Sequence, residues 1–346
     1  MKRILVEMEK LKNPNSGLGQ FCIKIGEEFQ KNKPTHLNID FYVPSVQKNI
    51  FGSDFHYVKH KALHKLIPVT NADYDVWHCL QQDSHYLPFN KKTKLLLTIH
   101  DLNFLEKYKG SKQKRKLKSL QKRVDKAAAI TVISKFTEMI VTENLELNNK
   151  PLYVIPNGNS LVVVENAPKP VFVSHNNFIF SIGIISEKKN FHSLLPLLQN
   201  DKQLHLIIAG NKESAYGHQL IKLATQLKVS EQLHLVGIVN ESEKYWLYSN
   251  CKAFVLPSFT EGFGLPVVEA MSLGKPIFLS NLTSLPEVGG EEAYYWKHFE
   301  PQHMVEVFEN GLKEFSEEKS KRIIAWSKQY SWENAAKAYL ELYSTL

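Results

Sequence analysis

The chain contains 346 residues, which is long for one hydrophobic core and comfortable for two domains. Hydrophobic residues make up 43% of it and charged residues 23%, the balance of an ordinary globular protein, and no apolar run is long enough to span a bilayer. The formal charge of +8 favours acidic partners, such as nucleotide phosphates, anionic lipid or nucleic acid.

The three cysteines, Cys22, Cys79 and Cys251, lie far apart and each has apolar neighbours. We expect buried thiols rather than a disulfide or a metal site, which indicates a reducing compartment. The N-terminal residues MKRILVEMEK enter a strand pattern and carry acidic residues early, unlike a secretory signal. These features predict a cytoplasmic protein.

The first half of the chain alternates short apolar runs with helical or loop segments. This alternation predicts a parallel sheet with crossover helices, whose ligands bind at the carboxyl ends of the strands. The predicted strands are residues 4–8, 37–43, 75–80, 95–99, 128–133 and 152–155.

Two segments of this half are candidates for ligand contact. Residues 13–19, NPNSGLG, form a glycine loop before a helix predicted at 20–29, a pattern that by itself indicates a tight turn. His100 and Asp101 end the strand LLLTIH, although a histidine at a strand end is more often structural than catalytic. Ser134 is expected only to cap the helix that follows it.

Residues 107–126, KYKGSKQKRKLKSLQKRVDK, contain ten basic residues and one acidic residue. Leu117, Leu120 and Val124 are spaced for one apolar stripe of a helix. The segment is either the solvated face of a packed helix or a surface that meets anionic lipid or a phosphorylated acceptor. Nucleic acid is less favoured, because no aromatic interleaving and no recognisable nucleic-acid motif accompany the charge.

A second set of strand and helix patterns follows residues 166–170, NAPKP, the best candidate for a domain boundary. Gly183 ends the first strand of this set, Lys188 and Lys189 follow in a loop, and Asn190 is predicted to begin a helix. Two cations beside a helix N-terminus can hold phosphate, whereas most lysine pairs are simply exposed. The predicted strands are residues 178–183, 204–209, 233–236, 253–256 and 277–279.

The stretch of residues 257–290 contains a polar loop with two glycines between a buried strand and a helix. The helix is predicted to begin near Pro266 and to end at Gly274. A strand, a glycine loop and a helix N-terminus aim backbone N–H groups at one point, where phosphates bind.

Two glycines and two carboxylates give this loop its chemistry. Gly262 and Gly264 let a ligand approach the backbone closely. The carboxylates of Glu261 and Glu269 suit hydroxyl groups, which donate hydrogen bonds to them. Such a loop fits a nucleotide sugar, although most strand–loop–helix turns bind nothing.

The segment PSFTEGFGLPVVEAMSLGKP resembles the signature of the retaining glycosyltransferases of family 4, which have the GT-B fold. Glu261 and Glu269 stand eight apart, as in that family's motif. The match runs through Gly262, Phe263, Gly264, Leu265, Pro266, Glu269, Ala270 and Gly274. Further similarities are SGLG at residues 16–19, TIHDLNFL at 98–105, PNG at 156–158, Lys-Lys-Asn at 188–190 and SWENAAKAYLELY at 331–343.

This resemblance implies an α/β architecture of two Rossmann-like parallel-sheet domains that face a cleft. We assign residues 1–166 to an acceptor-binding domain and residues 171–330 to a nucleotide-sugar-binding domain. Residues 331–346 are expected to cross back as a helix onto the first domain.

The resemblance also implies roles for individual residues. Glu261 is expected to hold the hydroxyls of the transferred sugar, His100 and Asp101 to lie near that sugar, and Lys189 to contact the donor diphosphate. Lys188 stands where many members have arginine, so its contact is expected to be less directional. The other implied contacts of the nucleotide sugar are Gly17, Gly183, Val239, Gly262, Phe263, Gly264, Leu265 and, at the ribose hydroxyls, Glu269.

The implied activity is transfer of a hexose, with retention of anomeric configuration, from GDP-mannose or a UDP-sugar to a hydroxyl of a glycan or glycolipid. Cell-surface polysaccharide or lipopolysaccharide synthesis is the expected context, with the enzyme in the cytoplasm or peripheral at the inner face of the plasma membrane. The alternative is a catalytically silent scaffold that binds sugar nucleotides or a membrane. A glycoside hydrolase is less favoured, because the neighbours of the two glutamates suit phosphate.

No cofactor and no metal are expected, because GT-B enzymes do not usually need a metal and the sequence has no histidine cluster to hold one. Asp73 and Asp75 form an Asp-x-Asp triplet at the start of a predicted strand, away from the ligand-binding ends, and are interpreted as a turn.

Overall fold

The structure is a computed structural model that describes residues 1–14, 16–45, 47, 49–67 and 73–346. Asn15, which belongs to the predicted glycine loop of residues 13–19, lies outside the described residues. The chain divides into two compact units, residues 1–158 with 331–346, and residues 159–330.

The described part of the first unit contains one parallel sheet of seven strands, in the order β3-β2-β1-β4-β5-β6-β7. All six predicted strands are present, with ends within a residue or two of the prediction. The prediction missed β3, because it is a four-residue edge strand with a mostly exposed, polar sequence, HYVK. The strands are β1 (Lys2–Glu7), β2 (Leu37–Val43), β3 (His56–Lys59), β4 (Val76–Cys79), β5 (Lys94–Ile99), β6 (Ala127–Val132) and β7 (Leu152–Val154).

Two of the helices in this unit begin with serine side-chain caps. Ser16 accepts a hydrogen bond from the backbone N–H of Gly19, and Ser134 accepts one from Thr137 at 3.0 Å, as expected of an N-cap. The helices are α1 (Gly17–Asn32), α2 (Phe104–Lys107), α3 (Gly110–Lys126) and α4 (Lys135–Asn144).

The second unit, all of whose residues are described, has a parallel sheet of six strands in the order β10-β9-β8-β11-β12-β13. The five predicted strands are present, and β13, which has three residues, was missed. The strands are β8 (Phe178–Ile182), β9 (His205–Ala209), β10 (Leu233–Gly237), β11 (Ala253–Leu256), β12 (Ile277–Ser280) and β13 (Tyr294–Trp296). The helices are α5 (Leu195–Asn200), α6 (Ala215–Gln226), α7 (Glu241–Asn250), α8 (Leu265–Ser272), α9 (Leu285–Gly289), α10 (Pro301–Glu314) and α11 (Glu317–Ser327).

The last helix, α12 (Trp332–Thr345), belongs to the first unit, which confirms that the C-terminal segment crosses back. The Oη atom of Tyr343 lies 2.6 Å from Nδ1 of His78, and Nε2 of the same ring lies 2.8 Å from Oγ1 of Thr98. These side chains are fully buried, and burial lowers the pKa of His78 to about 3. A neutral, doubly hydrogen-bonded imidazole therefore ties α12 to the centre of the sheet.

Each sheet has one point where the strand order reverses. In the first unit the chain builds outward from β1 to β2 and β3, then returns to β4 on the other side of β1. In the second unit the same reversal occurs between β8 and β11. Ligands of open α/β sheets bind in the crevice outside the carboxyl ends of the strands at such a point.

All three cysteines are free and buried, as expected. In the part of the chain that the structure describes, no helix is both long enough and apolar enough to cross a membrane.

A buried carboxyl group ends the central strand of the first sheet. Glu7 is fully buried, and its Oε1 atom accepts a hydrogen bond from the backbone N–H of Glu9 and lies 3.6 Å from Nε2 of His60. Burial raises the pKa of Glu7 to about 8, and burial lowers the pKa of His60 to about 4. Both groups are therefore neutral near pH 7, which is the cheaper state for groups removed from water.

Glu7→Gln is expected to stabilise the protein increasingly as the pH rises. The pKa of Glu7 is higher in the folded state than in the unfolded state. The free energy of unfolding of the native protein is therefore highest below about pH 4.5 and falls as the pH rises towards 8. The stability difference between Glu7→Gln and the native protein should grow by roughly 4 kcal/mol between about pH 5 and pH 9. Denaturant unfolding at several pH values measures this difference. Glu143→Gln, at an exposed position, is the control, and an equal pH trend in both variants would contradict the assignment.

Candidate functional site

The glycine loop of the second unit has the predicted strand–loop–helix geometry. β11 ends at Leu256, and α8 begins at Leu265 with Pro266 in its first turn. Gly264 lies in the left-handed region at φ +107°, as does Gly274 at φ +64°, which ends the helix. Pro266 has no N–H, and the N–H of Val267 donates to the carbonyl oxygen of Gly264 at 2.8 Å. The N–H of Leu265, the first residue of α8, has no acceptor within the helix, and a helix N-terminus favours a ligand of negative charge.

Hydrogen bonds from a neighbouring segment hold this loop in one shape. Ser284 donates its hydroxyl to the carbonyl oxygens of Glu261 and Phe263, at 3.0 and 2.9 Å. The backbone N–H of Glu261 donates to Oγ1 of Thr283 at 3.0 Å. The backbone around Glu261 is therefore positioned before any ligand binds.

Lys189 and Glu261 form a largely buried ion pair. Nζ of Lys189 lies 2.5 Å from Oε1 of Glu261, and the two side chains are 8% and 12% exposed. Ser258 donates a second hydrogen bond to the same oxygen at 2.7 Å. Burial would raise the pKa of Glu261, but the charge and hydrogen bond of Lys189 and the hydroxyl of Ser258 outweigh it and lower that pKa. Glu261 is thus ionised at neutral pH.

The two chain segments that supply this pair leave adjacent strands at the reversal point of the sheet. β8 leads to Lys189 and β11 leads to Glu261, and the backbone N–H of Phe259 donates to the carbonyl of Lys188 at 2.8 Å. Gly183 leaves room for the lysine, because a Cβ atom there would lie 3.2 Å from Cε of Lys189. The charge of Lys188 also lowers the pKa of Glu261, which places a second cation near the pair.

A helical segment begins at Asn190, as predicted, although its first turn is a 3-10 helix. Residues Glu187–Lys189 form one 3-10 helix, and Asn190 follows in a left-handed conformation at φ +55°. Asn190 is the N-cap of a second 3-10 helix, Phe191–Leu194, and α5 follows directly at Leu195. The two lysines therefore come just before the N-terminal end of a helical segment.

Glu269 occupies a second polar site, one turn into α8. Its Oε2 atom accepts a hydrogen bond from Oη of Tyr248 at 2.8 Å, and its Oε1 atom lies 3.4 Å from Nζ of Lys244. Burial raises the pKa of Glu269 more than Lys244 and Tyr248 lower it. This carboxylate is therefore the easier of the two glutamates to protonate.

Lys244 and Tyr248 were missed in the sequence. The signal was present, because Asn240 and Glu243 form a capping box that starts α7 and the two residues then stand four apart on one face. What the sequence could not supply was the partner, since Glu269 lies in another helix.

The candidate residues of the first unit have structural partners of their own. His100 is buried, its Nε2 lies 2.8 Å from the carbonyl oxygen of Leu80, and burial lowers its pKa. Oδ1 of Asp101 accepts a hydrogen bond from the backbone N–H of Asn103 at 3.0 Å. Both residues follow β5 at the carboxyl edge of the sheet. Their proposed contact with the sugar stays a prediction.

The first glycine loop is shorter than predicted. α1 begins at Gly17, where an added Cβ would meet nothing within 4 Å. The restrictive glycine is Gly19, where a Cβ would lie 2.2 Å from the carbonyl oxygen of Asn13. At Gly19 the backbone passes too close to leave room for a Cβ atom, so glycine is required there, whereas a Cβ atom at Gly17 would lie in open space.

The remaining candidates lie in the second unit with different degrees of burial. Phe263 is buried and packs edge-on against Tyr330 at 5.5 Å between ring centres, so its side chain supports the loop from beneath. Gly262 lies in the loop itself, and Val239 follows the end of β10, half-buried.

Within the described ranges, no three histidine, cysteine, aspartate or glutamate side chains are grouped so that they could hold a metal ion. Asp75 accepts a hydrogen bond from the backbone N–H of Arg3 at 2.8 Å, and Asp73 accepts one from Asn90 at 3.0 Å. The Asp-x-Asp triplet thus serves local structure at the start of β4.

Comparison with known proteins places this chain in a family. Residues 164–337 match the family model described as glycosyl transferases group 1. O-antigen chain mannosyltransferase B of Escherichia coli is 25% identical over 390 residues, which cover 99% of this chain and 100% of that protein. The serotype-specific mannosyltransferase WbdA of Escherichia coli is 28% identical over 278 residues, 74% of this chain but 34% of WbdA.

Solved structures share the whole fold. Sucrose-phosphate synthase from Thermosynechococcus elongatus has a TM-score of 0.76 at 16% identity, covering 100% of this chain and 99% of its own. Anabaena HepE in complex with UDP and glucose has a TM-score of 0.75 at 16% identity, with 100% of both chains covered. At these identities the likeness establishes the fold, which is the predicted GT-B fold with two Rossmann-like sheets.

Lys189→Met is expected to destabilise the second unit by about 3 to 5 kcal/mol, because it leaves a carboxylate buried without its cation. The loss should shrink as the pH falls, since Glu261 then has a raised pKa and protonates in the folded state. Lys189→Met with Glu261→Gln should recover most of the stability. Thermal and denaturant unfolding of the single and double variants measures these terms, and a double variant no more stable than Lys189→Met would contradict the pairing.

Proposed function

The chain belongs to the family of glycosyl transferases group 1, and on that premise we propose that it transfers a hexose from a nucleoside-diphosphate sugar to a hydroxyl of a glycan or glycolipid. The observation that carries the proposal is the buried pair of Lys189 and Glu261 at the reversal point of the second sheet. An ammonium suits the diphosphate of such a donor, and a carboxylate suits the hydroxyls of its sugar.

The leaving diphosphate needs positive charge that is in place before the reaction. Lys189 supplies it from a buried position, and Lys188 lies close enough to lower the pKa of Glu261. The first N–H groups of α8, including those of Gly264 and Leu265, add partial positive charge at the helix N-terminus. Charges held in a region of low dielectric stabilise a transition state more than charges in water do.

Glu261 is suited to the transferred sugar because it stays ionised although it is buried. A carboxylate accepts hydrogen bonds, and sugar hydroxyls donate them. Oε1 already takes the ammonium of Lys189 and the hydroxyl of Ser258, which leaves Oε2 as the acceptor that we assign to the sugar. The ammonium of Lys189, which lies beside this carboxylate, also stabilises a diphosphate close to the sugar.

We assign Glu269 to the ribose hydroxyls, with Tyr248 and Lys244 as the groups that orient it. The two partners approach different oxygens of the carboxylate, so its plane is fixed. Because burial raises its pKa, donor affinity should weaken when the pH falls through that pKa and Glu269 loses acceptor capacity. The ammonium of Lys244 opposes this rise in pKa and favours the ionised carboxylate.

The proposed reaction retains anomeric configuration, by attack of the acceptor hydroxyl on the face that the diphosphate leaves. The leaving phosphate then takes the proton of the acceptor, so no covalent nucleophile of the protein takes part. His100, which burial keeps neutral near pH 7, is assigned as a hydrogen-bond partner of the sugar, next to Asp101. We also propose that donor binding needs no metal, since two lysines supply the charge that a metal would.

Mannose from GDP-mannose is the proposed first choice of donor, with a UDP-sugar as the other. The names of the relatives support mannose, since both Escherichia coli proteins are mannosyltransferases and one acts on the O-antigen chain. The proposed acceptor is accordingly the hydroxyl of a growing surface polysaccharide or lipopolysaccharide.

A panel of GDP, UDP, ADP and dTDP tests the nucleotide site. A nucleotide present at about a hundred times its dissociation constant should stabilise the protein by about 2.7 kcal/mol, seen as a rise in melting temperature. Glu269→Gln should abolish the shift with the preferred nucleotide, and Glu291→Gln, a change at an exposed carboxylate of the same unit, should leave it intact. No shift with any nucleotide would sink the proposal for this loop.

Turnover distinguishes an enzyme from a silent scaffold. Glu261→Gln is expected to lower kcat by about a hundredfold to a thousandfold, because it removes a preorganised charge from the reacting sugar. The assay incubates GDP-mannose or a UDP-sugar with lipopolysaccharide-derived glycans and detects the added hexose by mass spectrometry. Proton NMR of the product then reports whether its anomeric configuration matches that of the donor. Nucleotide binding without turnover in the native protein would favour the scaffold.

A further inference from the structure

The net positive charge of the protein lies in one of its two units. Residues 1–158 with 331–346 contain 27 lysines and arginines against 17 acidic residues, whereas residues 159–330 contain 16 against 18. Ten of the basic residues and one acidic residue lie in residues 107–126. The nucleotide-binding machinery proposed above lies in the other unit, so it does not account for this charge.

The helix α3 presents this charge as a continuous stripe. Leu120 and Val124 are buried and fix the face that packs on the unit. The opposite face carries lysines every four residues, one per helical turn, and all of them are exposed. We call this the lysine stripe: Lys114, Lys118, Lys122 and Lys126. Among the described residues, none of these lysines has a carboxylate within ion-pairing distance.

Further lysines add positive charge in the first turns of α3 and just before it. The ammonium groups of Lys107, Lys112 and Lys116 lie 5.6, 4.0 and 5.7 Å from the centre of the Tyr108 ring. The ring of Tyr108 thus attracts three ammonium groups that would otherwise repel one another. In the described part of the chain, none of these three lysines forms an ion pair with an acidic side chain, so the cluster carries a local excess of positive charge.

Among its described residues, the same unit also has an exposed apolar segment. After β3, a 3-10 turn, Ala62–Lys65, carries Leu63, which is 57% exposed, and Leu66 and Ile67 follow at 77% and 44%. Lys61 and Lys65 within the segment are exposed as well. We call residues 61–67 the apolar turn. Large aliphatic side chains between lysines are the pattern of a segment that lies at the boundary of headgroups and acyl chains.

We propose that the first unit docks on an anionic lipid bilayer, with the lysine stripe drawn to the headgroups and Leu63 and Leu66 of the apolar turn entering the interface. Charge complementarity favours this occupant, because a bilayer rich in anionic lipid is an extended surface of one sign. The proposal does not depend on the transfer reaction, although docking would hold a transferase beside a glycolipid acceptor.

Two other occupants fit the surface less well. Lysine is depleted at protein–protein interfaces, and eight of the ten basic residues in residues 107–126 are lysines. Sites for single-stranded nucleic acid place aromatic rings among the cations so that bases can stack. Here the one aromatic residue of the segment, Tyr108, already carries lysines against its ring.

Vesicle sedimentation tests the electrostatic part of the proposal. The full-length protein should bind vesicles of phosphatidylcholine with about a third phosphatidylglycerol, and vesicles of phosphatidylcholine alone should bind it at least tenfold more weakly. Replacement of the lysine stripe by glutamine (K114Q, K118Q, K122Q and K126Q) should lower the partition coefficient on anionic vesicles about tenfold or more. The matched control replaces four exposed lysines of the second unit, Lys202, Lys212, Lys222 and Lys228, by glutamine and should bind as the native protein does.

Salt concentration distinguishes the contribution of the lysine stripe to vesicle binding from that of the apolar turn. High salt screens the stripe but not the apolar contact, so part of the binding should survive it, and Leu63→Ser with Leu66→Ser should remove that part. Thermal unfolding of each variant verifies that the exposed changes leave the fold intact. Equal binding to both vesicle types, equal loss in the control and stripe variants, or tighter binding to single-stranded DNA than to anionic vesicles would each overturn the proposal.

Discussion

The buried ion pair between Lys189 and Glu261 is the interaction on which the site of the second unit depends. Two charges removed from water are costly, and their attraction offsets that cost only when both are present and further hydrogen bonds complete them. Ser258 completes the carboxylate, while Gly183 leaves the space that the lysine fills. The pair therefore constrains two loops at once and holds a cation and an ionised carboxylate side by side in a region of low dielectric.

Both sheets place polar groups at the carboxyl ends of their central strands, but the groups differ in charge. At the end of β1, Glu7 and His60 are buried and neutral. At the ends of β8 and β11, Lys189 and Glu261 are buried and charged. A neutral pair can be packed inside a unit at low cost, whereas a charged pair can still interact electrostatically with a ligand. This difference supports the assignment of the nucleotide sugar to the second unit.

The division of charge between the units separates two kinds of recognition. The second unit is nearly neutral overall and concentrates a few charges in buried, defined positions. The first unit carries a long exposed stripe of lysines on α3, where the charge is spread out along the helix. Buried charges suit one small ligand with fixed geometry, and spread charges suit an extended surface without fixed geometry.

The sequence by itself determined the family, the two parallel sheets and the glycine loop, because apolar periodicity and local turn chemistry are short-range properties of the chain. It located Gly264 and Gly274, whose left-handed conformations follow from their places at the ends of a helix. Only the tertiary structure brought Lys244 and Tyr248 to Glu269, and only the structure showed that Asn190 is a left-handed residue between two 3-10 helices. Partners in different helices and burial of a charge depend on which segments pack together, and no local pattern encodes that. For the same reason, the short strands β3 and β13 became visible only as neighbours of longer ones.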